Sequence, residues 1–103
     1  MIDIKHLEDL KEIADKQGYE EQSMQLIEEM AELTQAINKY RRYGTYETKC
    51  NMIEEIADVY IVLAQIEYLL QVDNLVLDCY VDEKIQRTKQ RLLEYGKNIE
   101  RGV

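Results

Sequence analysis

No proline interrupts the 103 residues of this chain, and glycine occurs only four times. In a helix interior proline costs about 3 kcal/mol relative to alanine, and glycine about 1 kcal/mol. A chain nearly free of both favours long helices over a turn-rich sheet. The apolar residues recur to match. Ile4, Leu7, Leu10, Ile13 and Ala14 share one side of a first predicted helix, Ile4 to Lys16, with Asp3 as its cap. Gly18 ends this helix as a left-handed C′ residue, or bends it. A second helix is expected from Tyr19 to Tyr40, where Leu26, Met30, Leu33, Ile37 and Tyr40 form a core-facing seam. Arg41 and Arg42 at its end suit the negative pole of the helix dipole. Tyr43-Gly44-Thr45 reads as the turn, and Thr45 or Thr48 caps a third helix from Thr48 to Leu70. Gln71 to Asn74 form the next turn, with Asp73 or Asn74 as cap. A fourth helix then runs to Tyr95, terminated by Gly96. The expectation is an all-α fold of four-helix-bundle type, one domain over residues 1–103.

The third predicted helix is apolar almost all round: Ile53, Ile56, Val59, Tyr60, Ile61, Val62, Leu63 and Ile66 leave it no clean polar face. Such a helix is normally buried on several sides. A chain of this length can hardly enclose it, so a homodimer or homotetramer is expected to complete the fold. Glu54, Glu55, Asp58 and Glu67 break up the apolar run, which excludes a membrane span. The net charge of −8 argues against a nucleic-acid partner, which requires clustered Lys and Arg. Cys50 and Cys79 have neither the spacing of a zinc site nor a disulfide framework. They read as small buried side chains in a reduced compartment. The start Met1-Ile2-Asp3-Ile4-Lys5 lacks the pattern of a signal peptide, so a cytoplasmic protein is expected.

Two acidic couplets carry the functional signal: Glu29-Met-Ala-Glu32 on the second helix and Glu55-Ile-Ala-Asp58 on the third. Carboxylates at i and i+3 lie on one helix face about a turn apart. Glu29 and Glu32 sit beside the apolar seam, and Ala36, on the same stripe, would leave room for a ligand. Glu55 and Asp58 share a strip with Val62. Many Glu-x-x-Glu pairs are merely solvated, and Glu20, Glu21, Glu28 and Glu54 fill that role here. Like charges on a half-buried surface repel unless a cation neutralises them. A hard divalent ion with oxygen ligands is the simplest one. If the two helices pack antiparallel, the four acids converge from opposing sides.

In this order the couplets, with residues 33–54 between them, resemble the Glu-x-x-Glu … Glu-x-x-Asp signature of MazG-like nucleoside triphosphate pyrophosphohydrolases. The resemblance spans Gly18 to Arg91. It implies an all-α dimer or tetramer that converts a nucleoside triphosphate to the monophosphate and pyrophosphate. It also implies that Glu29, Glu32, Glu55 and Asp58 are catalytic ligands of Mg²⁺, with Mn²⁺ as a substitute. The family's last long helix often reads Lys-x-x-x-Asn-x-x-Arg. Lys84 and Arg91 stand at the matching positions, with Thr88 where Asn is common. A hydroxyl lacks the full donor and acceptor set of an amide, which bears on how sugar or phosphate is gripped.

Read from spacing alone, Lys84, Arg87, Thr88 and Arg91 form one polar, basic stripe. A solvated face that suits the helix C-terminus has the same pattern; with the resemblance, Lys84, Arg87 and Arg91 are the expected substrate-binding cations. Lys39, within two helical turns of Glu32, is a further one. Tyr40, Tyr43 and Tyr46 cluster near the turn, and His6 is given no role. Two other functions fit the same residues. One is a phosphoribosyl-ATP pyrophosphatase-like enzyme with a modified nucleotide as substrate. The other is a non-enzymatic helical dimerisation module whose acids are surface charge.

Overall fold

The computed structural model describes residues 4–100; the expected Asp3 cap lies outside them. Three helices follow one another: α1 (Ile4–Tyr43), α2 (Tyr46–Leu69) and α3 (Asn74–Glu100). There is no strand among the described residues. The first two predicted helices are the two arms of α1. Gly18 has non-helical backbone angles and breaks the helix between them, so the first helix ends there and the second begins across a kink. Its backbone sits at φ 82°, ψ 169°, a region essentially reserved for glycine, where a side chain costs on the order of 1–3 kcal/mol. Gly18→Ala is therefore expected to lower the melting temperature by several degrees, at about 4–8 °C per kcal/mol for a domain of this size. Thermal melting followed by circular dichroism checks this, and an unchanged midpoint would show that the kink is dispensable.

Gly44, with φ 60°, closes α1 by donating its N–H to the Tyr40 carbonyl at 2.8 Å. Thr45 then caps α2: its hydroxyl accepts from the Thr48 N–H at 3.1 Å, and Thr48 Oγ1 accepts from the Thr45 N–H at 3.1 Å. Both threonines serve one reciprocal cap, which satisfies two otherwise orphaned donors. This two-residue connection folds α2 back along α1 as an antiparallel hairpin.

The hairpin core is small and partly polar. Leu10, Ala14, Ala36 and Val62 are buried with two amides, Gln22 and Gln65. Gln22 Nε2 donates to Gln65 Oε1, and Gln65 Nε2 donates to the Leu10 carbonyl at 3.1 Å. Buried amides demand such partners, so Gln65 ties the first arm of α1 to α2 across the Gly18 bend. Nearby the Tyr68 hydroxyl donates to Asp15 Oδ2 at 2.9 Å, with the Lys11 ammonium 5.4 Å from the Tyr68 ring centroid. The hydrogen bond to Asp15, with burial and the carboxylate's charge, holds the Tyr68 phenol above its ordinary pKa.

Several expectations change here. The seam of α1 against α2 runs Gln22, Leu26, Glu29, Leu33, Ala36, Tyr40, whereas Met30 and Ile37 are exposed. The small Ala36 lets the helices approach and turns the bulkier residues outward. Ala36 is thus itself buried and opens no space for a ligand. Cys50 and Cys79 are both exposed free thiols within the chain, because neither lies on this seam.

The chain divides into two compact units between Gln71 and Val72. The second unit is built on α3, whose cap is Asp73. Its Oδ1 accepts from the Leu75 N–H at 2.8 Å, and its carbonyl accepts from the Leu77 N–H at 3.0 Å. Gly96 does not stop this helix, which continues to Glu100. Its backbone is not in the left-handed region that a terminating C′ glycine adopts.

Candidate functional site

The seam positions carry the chemistry. Glu29 on α1 and Glu55 on α2 occupy core-facing places in the hairpin and are half-buried. Glu32 and Asp58, three residues on, lie at its exposed edge. Glu29, Glu32 and Glu55 each bring a carboxylate oxygen within 4.8 Å of the other two. Asp58 lies outside this tight group, yet its charge acts on both Glu29 and Glu55. The antiparallel packing thus joins the two couplets with three acids in contact range and the fourth at the rim.

Burial is the main cause that raises the Glu29 pKa above its ordinary value. The Gln25 hydrogen bond partly offsets this, and the charges of Asp58 and Glu32 add to it. Glu55 is raised in the same way, by burial first and then by Glu32, Asp58 and Glu29. Gln25 Nε2 donates to Glu29 Oε1 at 2.6 Å. Gln25 was not singled out from the sequence, although its position four residues before Glu29 is the spacing at which such pairs meet. The remaining oxygens, Glu29 Oε2 and Glu55 Oε2, are buried without a hydrogen-bond partner. Orphaned buried acceptors beside like charges are costly. The donor set (three carboxylates, with two buried oxygens unclaimed) fits a hard cation that prefers oxygen ligands.

The expected basic residues are divided between the two units. Lys84, Arg87 and Arg91 are exposed on α3, in the second unit. Arg87 pairs with Glu83 at 2.8 Å, and the Thr88 hydroxyl donates to the Lys84 carbonyl of its own helix at 3.0 Å. Lys39 is exposed on α1 and lines a groove at the turn end of the hairpin with Tyr43, Asn51 and Glu54. Tyr46 is almost fully exposed beside it.

A helical hairpin whose facing helices each bring a half-buried acid to one point is an arrangement that helical bundles use to hold cations. The family comparison agrees with that arrangement. The MazG nucleotide pyrophosphohydrolase domain matches residues 17–92, which include both couplets and the basic stripe, and the chain belongs to this family. Comparisons with curated proteins and with solved structures give no match.

Proposed function

We propose that the protein is a Mg²⁺-dependent nucleoside triphosphate pyrophosphohydrolase. It cleaves an NTP or dNTP between the α and β phosphates to give the monophosphate and pyrophosphate. The observation that carries this reading is the pair of unclaimed buried oxygens, Glu29 Oε2 and Glu55 Oε2, inside a cluster of like charges. Glu29, Glu32 and Glu55 would hold the cation, and Mn²⁺ can replace Mg²⁺ on the same oxygens. When bound, the ion supplies Lewis acidity toward the phosphoryl oxygens and lowers the pKa of a coordinated water. Gln25 donates to one Glu29 oxygen, and the other, without a partner, would be available to hold the cation. Asp58, at the rim, is the acid free to accept the attacking water's proton.

Lys84, Arg87, Arg91 and Lys39 would bind the phosphates. The exposed Arg87–Glu83 pair is weak, as surface pairs are, and gives way to a phosphate. The whole chain would act as one domain, in the cytoplasm, as a homodimer or homotetramer. The exposed Met30, Ile37, Ile53 and Leu63 of the hairpin support assembly, since these apolar side chains face water in a single chain. Among the described residues no helix is long and apolar enough to cross a membrane.

A pyrophosphate-release screen over natural and modified triphosphates, with and without Mg²⁺, tests the reading. Equal amounts of monophosphate and pyrophosphate, formed only with the ion, are expected. No turnover across the whole panel would reject it. Lys84→Ala should raise KM for the triphosphate while Mg²⁺ still raises the melting temperature. An unchanged KM would mark the α3 stripe as solvated surface.

A further inference from the structure

The hairpin edge that carries Asp58 continues along α2 into a second groove, of about 400 Å³, between α2 and the first arm of α1. The groove's α2 wall runs from Ala57, next to Asp58, to Gln65, about 10.5 Å farther along the axis than Asp58. Its walls are mainly apolar, from Leu10, Ile13, Ala57, Tyr60 and Ile61. The buried Gln65 amide closes it, accepting from Gln22 and donating to the Leu10 carbonyl. Two polar side chains on the first arm, His6 and Asp9, also line it, and neither has a hydrogen bond or ion pair among the described residues. An apolar cleft with one aromatic wall and a few unpaired polar groups is how proteins hold small planar ligands.

We propose that this groove takes the nucleobase of the substrate, and that Asp9 makes it select bases with an exocyclic amine. The proposal rests on the reading of the chain as a triphosphate hydrolase. A carboxylate only accepts hydrogen bonds. Cytosine, adenine and guanine offer it an amino group, whereas the uracil and thymine N–H is flanked by carbonyl oxygens that repel it. The flat ring lies against Tyr60 and Ile61, and the base points toward the Gly18 bend. The phosphates then lie at the acidic cluster and toward Lys39, which is two helical turns from Glu32. The groove at the turn end is the poorer base site. Its walls carry Glu47 and Glu54 beside Lys39, charged groups whose water a ring face would displace without replacing.

Four proteins decide this: wild type, Asp9→Asn, Tyr60→Ala and, for the other groove, Asn51→Ala. Each is assayed for kcat/KM on CTP, ATP, GTP, UTP and TTP. Each is also titrated with Mg²⁺-tripolyphosphate and with cytidine and uridine alone. The wild type should favour amino bases by at least about tenfold, and Asp9→Asn should erase that preference through KM with kcat kept. Tyr60→Ala should raise KM for every nucleotide and weaken cytidine binding, with tripolyphosphate affinity unchanged. Asn51→Ala should leave selectivity as it was. A preference for uracil, selectivity that survives Asp9→Asn, or its loss in Asn51→Ala instead would overturn the assignment. Absence of tripolyphosphate binding and of turnover in the wild type would reject the hydrolase reading itself. The nucleoside titrations would then still report whether the groove holds a base.

Discussion

Glu55→Gln is expected to abolish pyrophosphate release and at the same time to make the metal-free protein more stable. The two effects share one cause. Glu55 is held half-buried among Glu29, Glu32 and Asp58, and burial and those charges all raise its pKa. In the ionised state it therefore opposes folding. Glutamine keeps the shape, removes the charge and can donate to a neighbouring carboxylate, so the repulsion is relieved. The same change removes a ligand oxygen that an amide replaces poorly for a hard cation. Loss of a ligand should exceed the roughly 10–100-fold penalty seen when a group that merely orients a ligand is changed, so turnover should fall by more than about 100-fold. A higher metal-free melting temperature with lost activity is the signature of a site kept for function at the expense of stability. Retained turnover would remove Glu55 from the site. Lost turnover with a lower melting temperature would show that the glutamate supports the fold and does not strain it. Asp58→Asn is the companion case. Asp58 is exposed, so its replacement should lower kcat with little change in melting temperature.

Much of this arrangement was legible in the sequence, and the failures have physical causes. The turn at Gly44, the Thr45–Thr48 cap and the Asp73 cap follow from local hydrogen-bond chemistry, which the residues at those positions specify by themselves. The couplets were legible because two acids in apolar surroundings on successive helices carry a cost that the sequence exposes. The face of α1 that meets α2 was harder to read. Hydrophobicity alone favours Met30 and Ile37, yet Ala36 and Glu29 take those places. The closeness of two helices depends on small residues, which an apolar pattern underweights. The Gln22–Gln65 pair was invisible for a related reason: a glutamine becomes a core residue only when a partner 43 residues away satisfies it. Gly96 misled because glycine permits a left-handed stop without requiring one. The shortness of the core, by contrast, follows from composition. The third predicted helix carries more apolar surface than one chain can cover, and Ile53 and Leu63 remain exposed.

Mg²⁺ should raise the melting temperature strongly at neutral pH and weakly near pH 5. In the folded protein Glu29 and Glu55 titrate above the ordinary value of 4.5. Between that value and their raised pKa values the folded state binds more protons than the unfolded chain. Stability therefore falls as pH rises through this window. These two groups make the metal-free protein more stable at the acidic end of this window than above it, where their charges are uncompensated. A divalent cation competes with those protons for the same oxygens. Metal binding therefore weakens as pH falls through the window, because there the ion must displace protons first. A ligand present at 100 times its Kd stabilises the folded state by about 2.7 kcal/mol, which for a domain of this size is a rise on the order of 10–20 °C. The check is a set of melting curves across this pH range with Mg²⁺, with Mn²⁺ and with a chelator. Glu29→Gln and Glu55→Gln should each flatten both the pH dependence and the metal response. A metal-induced rise of the same size at both pH values would place the ion away from these two carboxylates. No rise at either would mean that the acids of α1 and α2 meet around water and not around a cation.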